Sequence, residues 1–404
     1  MANTHYDFII TGAGPTGLAA AITAGRLGAS CIVLEKGLKP GPEPRGESIA
    51  QYQLMDDLLG KDWLKNNAST DPSFRRFHSP MDRKNSLIDV HKPYYFFHWD
   101  QLMKHMKTLA LEAGAKFLFQ SEVLDLLEDN NRCVGIRYKD KENNIHKIKG
   151  AIVLGCMGHK DPLGEQFGIK REEIDCPTIK YYSADAPQIK ISEHSNLQFY
   201  MIPPKMLDIA PKLPPAVAYV FPLTNGEMEA GLMLRLGQLD SIKDVEIPDK
   251  DLMYKVWDYL TRDYPGFSDF FKGSQTAYKK LTVISNRQLF ENIIPHENGG
   301  LIFLGDTIGF SEANGSSGLY FGMAQADFWV RLIMGQKGLD KDIWSKPFVN
   351  EARDKYNKWS VYKYIKKSYK DIVLAEKIMF NYCGSDRSLN RWWKPLMALL
   401  QLKS

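Results

Sequence analysis

The sequence predicts an α/β fold in which a Rossmann-like domain is interrupted by an antiparallel β-sheet and followed by a helical segment. Three observations predict this architecture. A glycine-rich turn joins a strand to a helix at Gly12, a second strand, turn and helix pattern begins at Gly300, and separated strands occupy the stretch between them. Because strands alternating with helices are typical of parallel sheets, we expect both ends to belong to one domain that is discontinuous in sequence.

The first pattern is Gly12-Ala-Gly14-Pro-Thr-Gly17, which follows an apolar run and opens an Ala-rich segment. Gly12 permits the tight turn, Gly14 lets backbone N–H groups approach a pyrophosphate, and Gly17 lets helix and strand pack closely. Glu35 ends the next apolar run, eighteen residues after Gly17. At this position its carboxylate can accept hydrogen bonds from both hydroxyls of an adenosine ribose. The unit indicates a dinucleotide site, for either FAD or NAD.

The second pattern is a short apolar strand at residues 301–304, ended by Gly305-Asp306. A Gly/Ser-rich stretch, residues 309–318 and here named the Gly/Ser loop, leads into an apolar helix at 319–334. An aspartate at such a strand end can accept hydrogen bonds from a ribityl chain, which favours FAD over NAD.

With these segments, Arg45-Gly-Glu-Ser48 and Val217-Ala-Tyr-Val-Phe-Pro222, the chain resembles the flavoprotein superfamily of aromatic hydroxylases, flavin-dependent halogenases and geranylgeranyl reductases. The reductase branch is the most similar. The resemblance implies an FAD-binding domain of the glutathione reductase type. It also implies that FAD is bound by Gly12, Gly14, Thr16, Gly17, Glu35, Lys36, Arg45, Glu47, Ser48, Val123, Gly305, Asp306, Gly315, Ser316, Ser317 and Gly318.

The predicted domain order is interleaved. Residues 1–178 and 282–338 are expected to form the FAD-binding domain, 179–281 an inserted substrate domain with an antiparallel sheet, and 339–404 a C-terminal helical region. In the first part we expect a helix at 100–113 and strands at 117–126, 134–138 and 151–156. In the insert we expect strands at 197–202, 216–221 and 229–235, then a helix at 250–260.

The Gly/Ser loop is expected to cross beneath the isoalloxazine ring, with the positive end of the following helix favouring a reduced flavin anion. An ordinary loop that caps a helix is the alternative. Asn314 and Gly315 suit a positive φ or a close approach to the ring. Glu312 is a candidate for positioning the substrate or donating a proton if desolvation raises its pKa, and a solvated carboxylate is its alternative.

Two further segments carry candidate residues. In the superfamily the Arg45–Ser48 segment lies along the inner edge of the flavin, where Arg45 would face the flavin or its pyrophosphate and Ser48 the ring. Reductases often have cysteine where this chain has Arg45, which puts cysteine-assisted chemistry in doubt. A helix start, with Glu47 and Ser48 as cap or first-turn residues, is the alternative.

The segment at 217–222 looks like the geranylgeranyl reductase motif, with Tyr219 where that family prefers tryptophan. Halogenases carry a related motif that ends in isoleucine and proline, so Phe221-Pro222 is nearer the reductase form. We expect Tyr219 and Phe221 to be catalytic-site residues that line a cavity facing the flavin and suit a lipophilic substrate. An aromatic core strand is the alternative.

These features predict an FAD-dependent oxidoreductase that reduces a carbon–carbon double bond of a lipophilic substrate by hydride transfer from reduced flavin. One alternative is a monooxygenase or halogenase that acts on an aromatic substrate through a flavin hydroperoxide. A second is a flavin-binding partner protein without catalysis, because residues 156–159 lack the acid that hydroxylases carry there. No second glycine fingerprint is present for NAD(P)H, so the donor either docks transiently or is a separate flavin reductase.

Composition agrees with an enzyme of two domains, with 404 residues, 44% of them hydrophobic and 25% charged. The five cysteines form no CxxC pair and the nine histidines no HxxxH spacing, so we predict a reducing compartment and no metal site. We expect no nucleic-acid partner. Neither a signal peptide nor a spanning helix fits the N-terminal segment, and we expect a cytoplasmic protein.

The charge is unevenly distributed. From Glu351 to Ser404 the chain has twelve Lys/Arg and five Asp/Glu, and the same region holds tryptophans and leucines. It is either a helical cap with solvated lysines or a peripheral contact with an anionic membrane surface. A second basic cluster is either a solvated surface or a receptor for an acidic substrate, a phosphate or an electron carrier. Its members are Arg75, Arg76, His78, Arg83, Lys84 and Lys92.

Overall fold

The structure is a computed structural model that describes residues 5–41, 45–69, 75–83, 85–88, 94–159, 161–169, 176–189, 196–237, 239–284, 288–313, 315, 317–335 and 346–380. Asn314, Ser316 and the end of the basic C-terminal region lie outside these residues. The strands are β1 (His5–Thr11), β2 (Cys31–Glu35), β3 (Gly46–Ala50), β4 (Arg75–His78), β5 (Asn85–Ile88), β6 (Tyr94–His98), β7 (Lys116–Phe119), β8 (Glu122–Asp129), β9 (Arg132–Lys139), β10 (Ile145–Gly155), β11 (Cys176–Asp185), β12 (Leu197–Ile202), β13 (Ala216–Pro222), β14 (Met228–Leu234), β15 (Gln275–Ile284) and β16 (Leu301–Phe303).

Helices alternate with these strands in the first part of the chain and cluster at its end. They are α1 (Pro15–Arg26), α2 (Gln53–Leu59), α3 (Trp63–Asn67), α4 (Trp99–Glu112), α5 (Pro162–Gln166), α6 (Lys250–Asp263), α7 (Leu319–Met334), α8 (Lys346–Lys358) and α9 (Ser360–Ile378).

The first sheet has the order β7-β2-β1-β10-β9-β8, and β16 also pairs with β10. Its pairs β2/β7, β1/β2, β1/β10 and β10/β16 are parallel, and the pairs of β9 with β10 and β8 are antiparallel. Phe8, Ile152 and Leu154 are completely buried, as expected for parallel strands covered on both faces. This parallel core brings the carboxyl ends of β1 and β16 to the same edge.

The second sheet has the order β15-β11-β14-β13-β12-β4-β5. It is antiparallel except between β12 and β4, where Leu197 pairs with Arg75 in parallel register. Helix α6 contributes Met253, Val256 and Trp257 to the core on one face of this sheet, and Asp249 caps the helix by accepting from Leu252 N at 2.8 Å. The participation of β4 and β5 was not predicted from sequence.

Two local expectations are corrected. The single strand expected at 117–126 is two strands, because Gln120 has a φ of 53° and interrupts the extended backbone between β7 and β8. The helix start considered at Arg45–Ser48 is wrong, because β3 pairs with the aromatic strand β6 in an antiparallel ribbon, with Glu47 opposite Phe97.

The C-terminal helices pack against the core of the first sheet. Val349 and Tyr356 of α8, and Tyr362 and Ile365 of α9, are buried in that core. Within the described residues, no helix is both long and apolar enough to cross a membrane. The division of the chain into four segments, with boundaries after residues 178, 281 and 338, stays a prediction.

Candidate functional site

The glycine fingerprint lies between β1 and α1. Gly12 has a φ of 98°, and a Cβ atom there would come within 2.5 Å of the Cys156 carbonyl oxygen. A Cβ on Gly17 would collide with the Gly12 carbonyl, so both glycines are required sterically. Around Gly14, by contrast, a Cβ would meet no atom within 4 Å. The backbone at Gly14 therefore faces open space at the N-terminus of α1, as an approaching phosphate requires.

Glu35 at the end of β2 is tied to this turn. Its Oε2 accepts from Ala13 N at 2.9 Å, and its Oε1 accepts from Gly37 N at 2.7 Å. These bonds orient the carboxylate and leave lone pairs on each oxygen for ribose hydroxyls. Lys36 is exposed beside it, and Val123 is buried in β8.

The second glycine segment contacts the first directly. Gly305 has a φ of 62°, and a Cβ there would come within 2.5 Å of Thr16 Oγ1 in α1. Thr23 Oγ1 also donates to Asp327 Oδ1 at 2.8 Å, which joins α1 to α7. Asp306 is exposed, and its Oδ1 lies 3.0 Å from the position of a Cβ on Gly318, the N-cap of α7. The two remote segments thus meet at one site.

The Gly/Ser loop is closed on itself. Glu312 N donates to the Ser317 carbonyl at 2.9 Å, and Ser317 N donates to the Glu312 carbonyl at 3.2 Å. The Glu312 carboxylate accepts from Gly315 N at 2.6 Å, and the residue is 8% exposed. The solvated alternative for Glu312 is therefore wrong, since the carboxylate holds the loop conformation.

Arg45 does not stand free beside the ribbon of β3 and β6. Its guanidinium carbon lies 3.8 Å from the centroid of the Trp99 ring, and its Nη2 lies 3.4 Å from Glu47 Oε1. Glu47 also contacts Lys180 of β11, with an Nζ to Oε1 distance of 3.5 Å. Although burial opposes ionisation, Lys180 and Arg45 hold the pKa of Glu47 below its ordinary value. Ser48 is partly buried in β3.

An aromatic wall covers the face of the second sheet that meets this ribbon. Tyr219 and Phe221 lie two residues apart on β13, with ring centroids 6.3 Å apart. Phe221 stacks on Phe96 of β6 at 4.8 Å. Phe199 on β12 pairs with Tyr219 and belongs to the same apolar cluster. Phe221 is 4% exposed and Tyr219 is more accessible. The strand therefore contributes Phe221 to the core and Tyr219 to the accessible surface of the wall.

Sequence reasoning missed Glu229, which lies at the back of this wall. It is 1% exposed on β14, and its Oε2 accepts from Gly46 N at 3.0 Å. Its Oε1 is buried without a hydrogen-bond partner among the described residues. Burial raises the pKa of Glu229 to about 8, although Lys180 acts in the opposite sense. Burial, with Glu229 nearby, also raises the pKa of Tyr219 well above its ordinary value. A lone acid in an apolar strand is the signal that could have identified it.

The basic cluster at Arg75 is not a uniform solvated surface. His78 is 5% exposed and lies 2.7 Å from Asp82 Oδ1 and 2.8 Å from Gln198 Oε1. Arg75 and Arg76 are partly buried. The side chains of Lys84 and Lys92 lie outside the described residues.

These residues fit FAD. The open space at Gly14 admits a pyrophosphate, the Glu35 carboxylate is oriented at the turn, and exposed Asp306 lies where the second segment meets α1. Residues 7–161 match the family model of FAD dependent oxidoreductases. The chain is an FAD-dependent oxidoreductase.

Relatives of this FAD-dependent oxidoreductase include reductases of lipids. The digeranylgeranylglycerophospholipid reductase of Picrophilus torridus is 22% identical over 371 residues, which are 88% of this chain and 84% of that protein. Among solved structures, a geranylgeranyl bacteriochlorophyll reductase-like protein from Thermoplasma acidophilum matches with a TM-score of 0.73 and 16% identity, over 99% of this chain and 96% of that chain. The flavin-dependent brominase Bmp2 matches with a TM-score of 0.65 and 15% identity, over 98% and 97% of the two chains.

At these identities the structural likenesses establish the fold alone. They confirm the α/β fold class predicted from sequence, an FAD-binding fold with C-terminal helices. The oxidoreductase therefore shares its architecture with both reductases and halogenases, and the reaction type has to be argued from its own residues.

Proposed function

We propose that this protein reduces a carbon–carbon double bond of a lipophilic substrate. The observation that carries the proposal is the aromatic wall of Phe199, Tyr219 and Phe221, which faces the ribbon beside the cofactor site. Such a wall suits an apolar substrate. The similarity to the Picrophilus torridus reductase over most of both chains supports the same class of reaction.

The cofactor supplies the hydride when it is bound, and the chain positions it. In this proposal Gly12, Gly14, Thr16 and Gly17 hold the pyrophosphate end, with Glu35, Lys36 and Val123 at the adenosine end. Asp306 binds the ribityl chain. The remaining proposed contacts to the flavin come from Arg45, Glu47, Ser48, Gly305 and the Gly/Ser loop residues Gly315, Ser316, Ser317 and Gly318. Glu312 shapes the loop beside the ring, and Asn314, which lies outside the described residues, stays a candidate catalytic residue of the same loop.

The second hydrogen arrives as a proton, and Tyr219 with Glu229 is the proposed source. Tyr219 is the more accessible of the two and lies on the wall. Its raised pKa keeps the hydroxyl protonated, and the raised pKa of Glu229 keeps a second proton behind it near neutral pH. Phe221 excludes water from the same surface.

Anaerobic single turnover tests the proposal. We expect a polyprenyl substrate to reoxidise the chemically reduced protein without oxygen, and mass spectrometry to find a product heavier by two hydrogens. Tyr219→Phe should slow this step, whereas Tyr6→Phe, a change at the remote start of β1, should not. A reaction that proceeds only with oxygen, and yields an oxygenated or halogenated product, would contradict the proposal and favour the monooxygenase or halogenase alternative that the brominase fold keeps open.

The donor and the location are proposed more broadly. The electrons are supplied either by NAD(P)H that docks transiently or by a separate flavin reductase.

We also propose that this is a cytoplasmic protein that makes peripheral contact with an anionic membrane through α9. Lys363, Lys367, Lys370, Leu374 and Lys377 are exposed at helical spacing on one stripe of α9, and Leu374 is 60% exposed.

A further inference from the structure

We propose that Ser368 and Tyr369 of α9 are positioning residues, which hold the Gly/Ser loop where it has to lie against the flavin ring. The inference deepens the proposed function, and it rests on that function for the placement of the loop beside the ring. It gives the C-terminal helical region a role in the cofactor site.

Tyr369 holds the beginning of the Gly/Ser loop. Its hydroxyl donates to the Gly309 carbonyl at 2.6 Å and lies 3.3 Å from Ser311 Oγ. Gly309 has a φ of 72°, and its N–H donates to the Asp306 carbonyl at 3.3 Å. The Tyr369 hydroxyl therefore fixes the backbone three residues after the proposed ligand of the ribityl chain.

Ser368 holds the middle of the loop, at Ala313. Its Oγ accepts from Ala313 N at 3.1 Å and donates to the Ile365 carbonyl at 2.8 Å. The Ala313 carbonyl accepts from Arg235 Nη2 at 3.0 Å. Because Ser368 is 4% exposed and Arg235 is 1% exposed, water has little access to either bond. Both backbone groups of one loop residue are thus bound by buried side chains from outside the loop.

The bonds within the loop do not fix its position relative to the rest of the protein. Those that join Glu312 to Ser317 and to Gly315 only close the loop on itself. The loop also contains three glycines, which make its backbone costly to order. The bonds at Gly309 and Ala313 supply the attachment, and they come from α9 or from a side chain that α9 binds.

Helix α9 is anchored well enough to serve as this support. Its Glu376 Oε1 lies 3.2 Å from Arg235 Nε, and both side chains are 1% exposed. Beside this pair, a Cβ on Gly237 would lie 2.7 Å from Ile372 Cγ1, so the chain after β14 is in close contact with the helix. The helix therefore cannot shift without breaking buried contacts.

The Gly/Ser loop leads directly into α7, whose N-cap is Gly318. The first N–H groups of a helix carry a partial positive charge, which stabilises an anion that lies close to them. Reduced flavin can be an anion, so a well-placed N-terminus binds reduced FAD more tightly than oxidised FAD. Loss of a bond between α9 and the loop should therefore weaken binding of the reduced form more than that of the oxidised form.

Redox titration of the FAD-loaded protein tests the inference. Tyr369→Phe removes one hydroxyl and no ring surface. We expect its preference for reduced over oxidised FAD to fall about tenfold, which lowers the midpoint potential of this two-electron couple by about 30 mV. The matched control is Tyr254→Phe, because the Tyr254 hydroxyl accepts from Leu281 N at 3.0 Å and joins α6 to β15 instead. The potential of this control should equal that of the wild type.

Hydrogen exchange adds a measurement on the protein without its cofactor. In Tyr369→Phe we expect the amides of residues 309–313 to exchange about tenfold faster than in the wild type, since the loop opens more often when it loses a bond. Ser368→Ala removes the acceptor for Ala313 N and should have the same effect. Tyr254→Phe should leave the exchange of this segment unchanged.

Two results would overturn the inference. The first is a midpoint potential in Tyr369→Phe that equals that of the wild type, with or without faster exchange of the loop, since Tyr369 would then at most stabilise the fold. The second is an equal fall in potential in Tyr254→Phe, which would assign the effect to a general loss of stability. No lipid enters these measurements, so failure of a polyprenyl substrate to turn over would contradict the proposed function and not this inference.

Discussion

The raised pKa of Glu229 predicts how the free energy of unfolding changes with pH. Burial raises its pKa in the folded protein from the usual 4.5 to about 8. Above pH 4.5 the unfolded chain releases this proton while the folded protein keeps it, so stability falls as pH rises until the folded carboxyl also ionises. The gap corresponds to about 5 kcal/mol in the free energy of unfolding. Of this, about 3.5 kcal/mol is lost between pH 5 and pH 8.

Glu229→Gln removes the titration and keeps an acceptor for Gly46 N. We therefore expect the variant to gain about 3.5 kcal/mol relative to the wild type between pH 5 and pH 8. Urea unfolding followed by tryptophan fluorescence, with FAD occupancy held constant, measures this difference. Glu112→Gln changes an exposed glutamate in α4, and its free energy of unfolding should change with pH in the same way as that of the wild type. A Glu229→Gln curve that also runs parallel would refute the reasoning that this carboxyl is protonated when folded.

Three further predictions concern the cofactor, a buried ion pair and the membrane. Gly305→Val forces a side chain against α1 at a positive φ, so the FAD content of the purified protein, read from its absorbance, should fall about tenfold, and normal content would contradict the site. Arg235→Met removes the cation from its buried partner Glu376, which lies 3.2 Å away and is 1% exposed. Urea unfolding should show a loss of about 3–5 kcal/mol that the double methionine variant largely recovers, and equal losses in the two variants would argue against the pair. Leu374→Glu should lower binding to anionic vesicles about fivefold in sedimentation while Leu111→Glu on α4 does not, and equal effects would remove the membrane contact.

Much of the fold could be predicted because its signals are local. The strand bounds Leu197–Ile202 and the helix bounds Leu319–Met334 agree with the expected residues, since apolar runs between turn residues define both. The parallel pairing of Arg75 with Leu197 could not be predicted, because about 120 residues separate them and no local pattern encodes a parallel partner. The fingerprint residues Gly12, Gly14 and Gly17 could be identified from sequence, because they lie within six residues of one another and their spacing along the chain determines the turn that they form.

The missed acid has a physical feature that sequence conceals. Glu229 looks like an ordinary surface charge in a sequence, yet it is 1% exposed and its Oε1 has no hydrogen-bond partner among the described residues. It costs stability, because a hydrophobic replacement of similar volume would pack without leaving a buried oxygen unsatisfied. It also lies behind the aromatic wall. A destabilising acid behind an apolar surface is best explained by a proton transfer that uses it, since groups with strongly shifted pKa values cluster at functional sites.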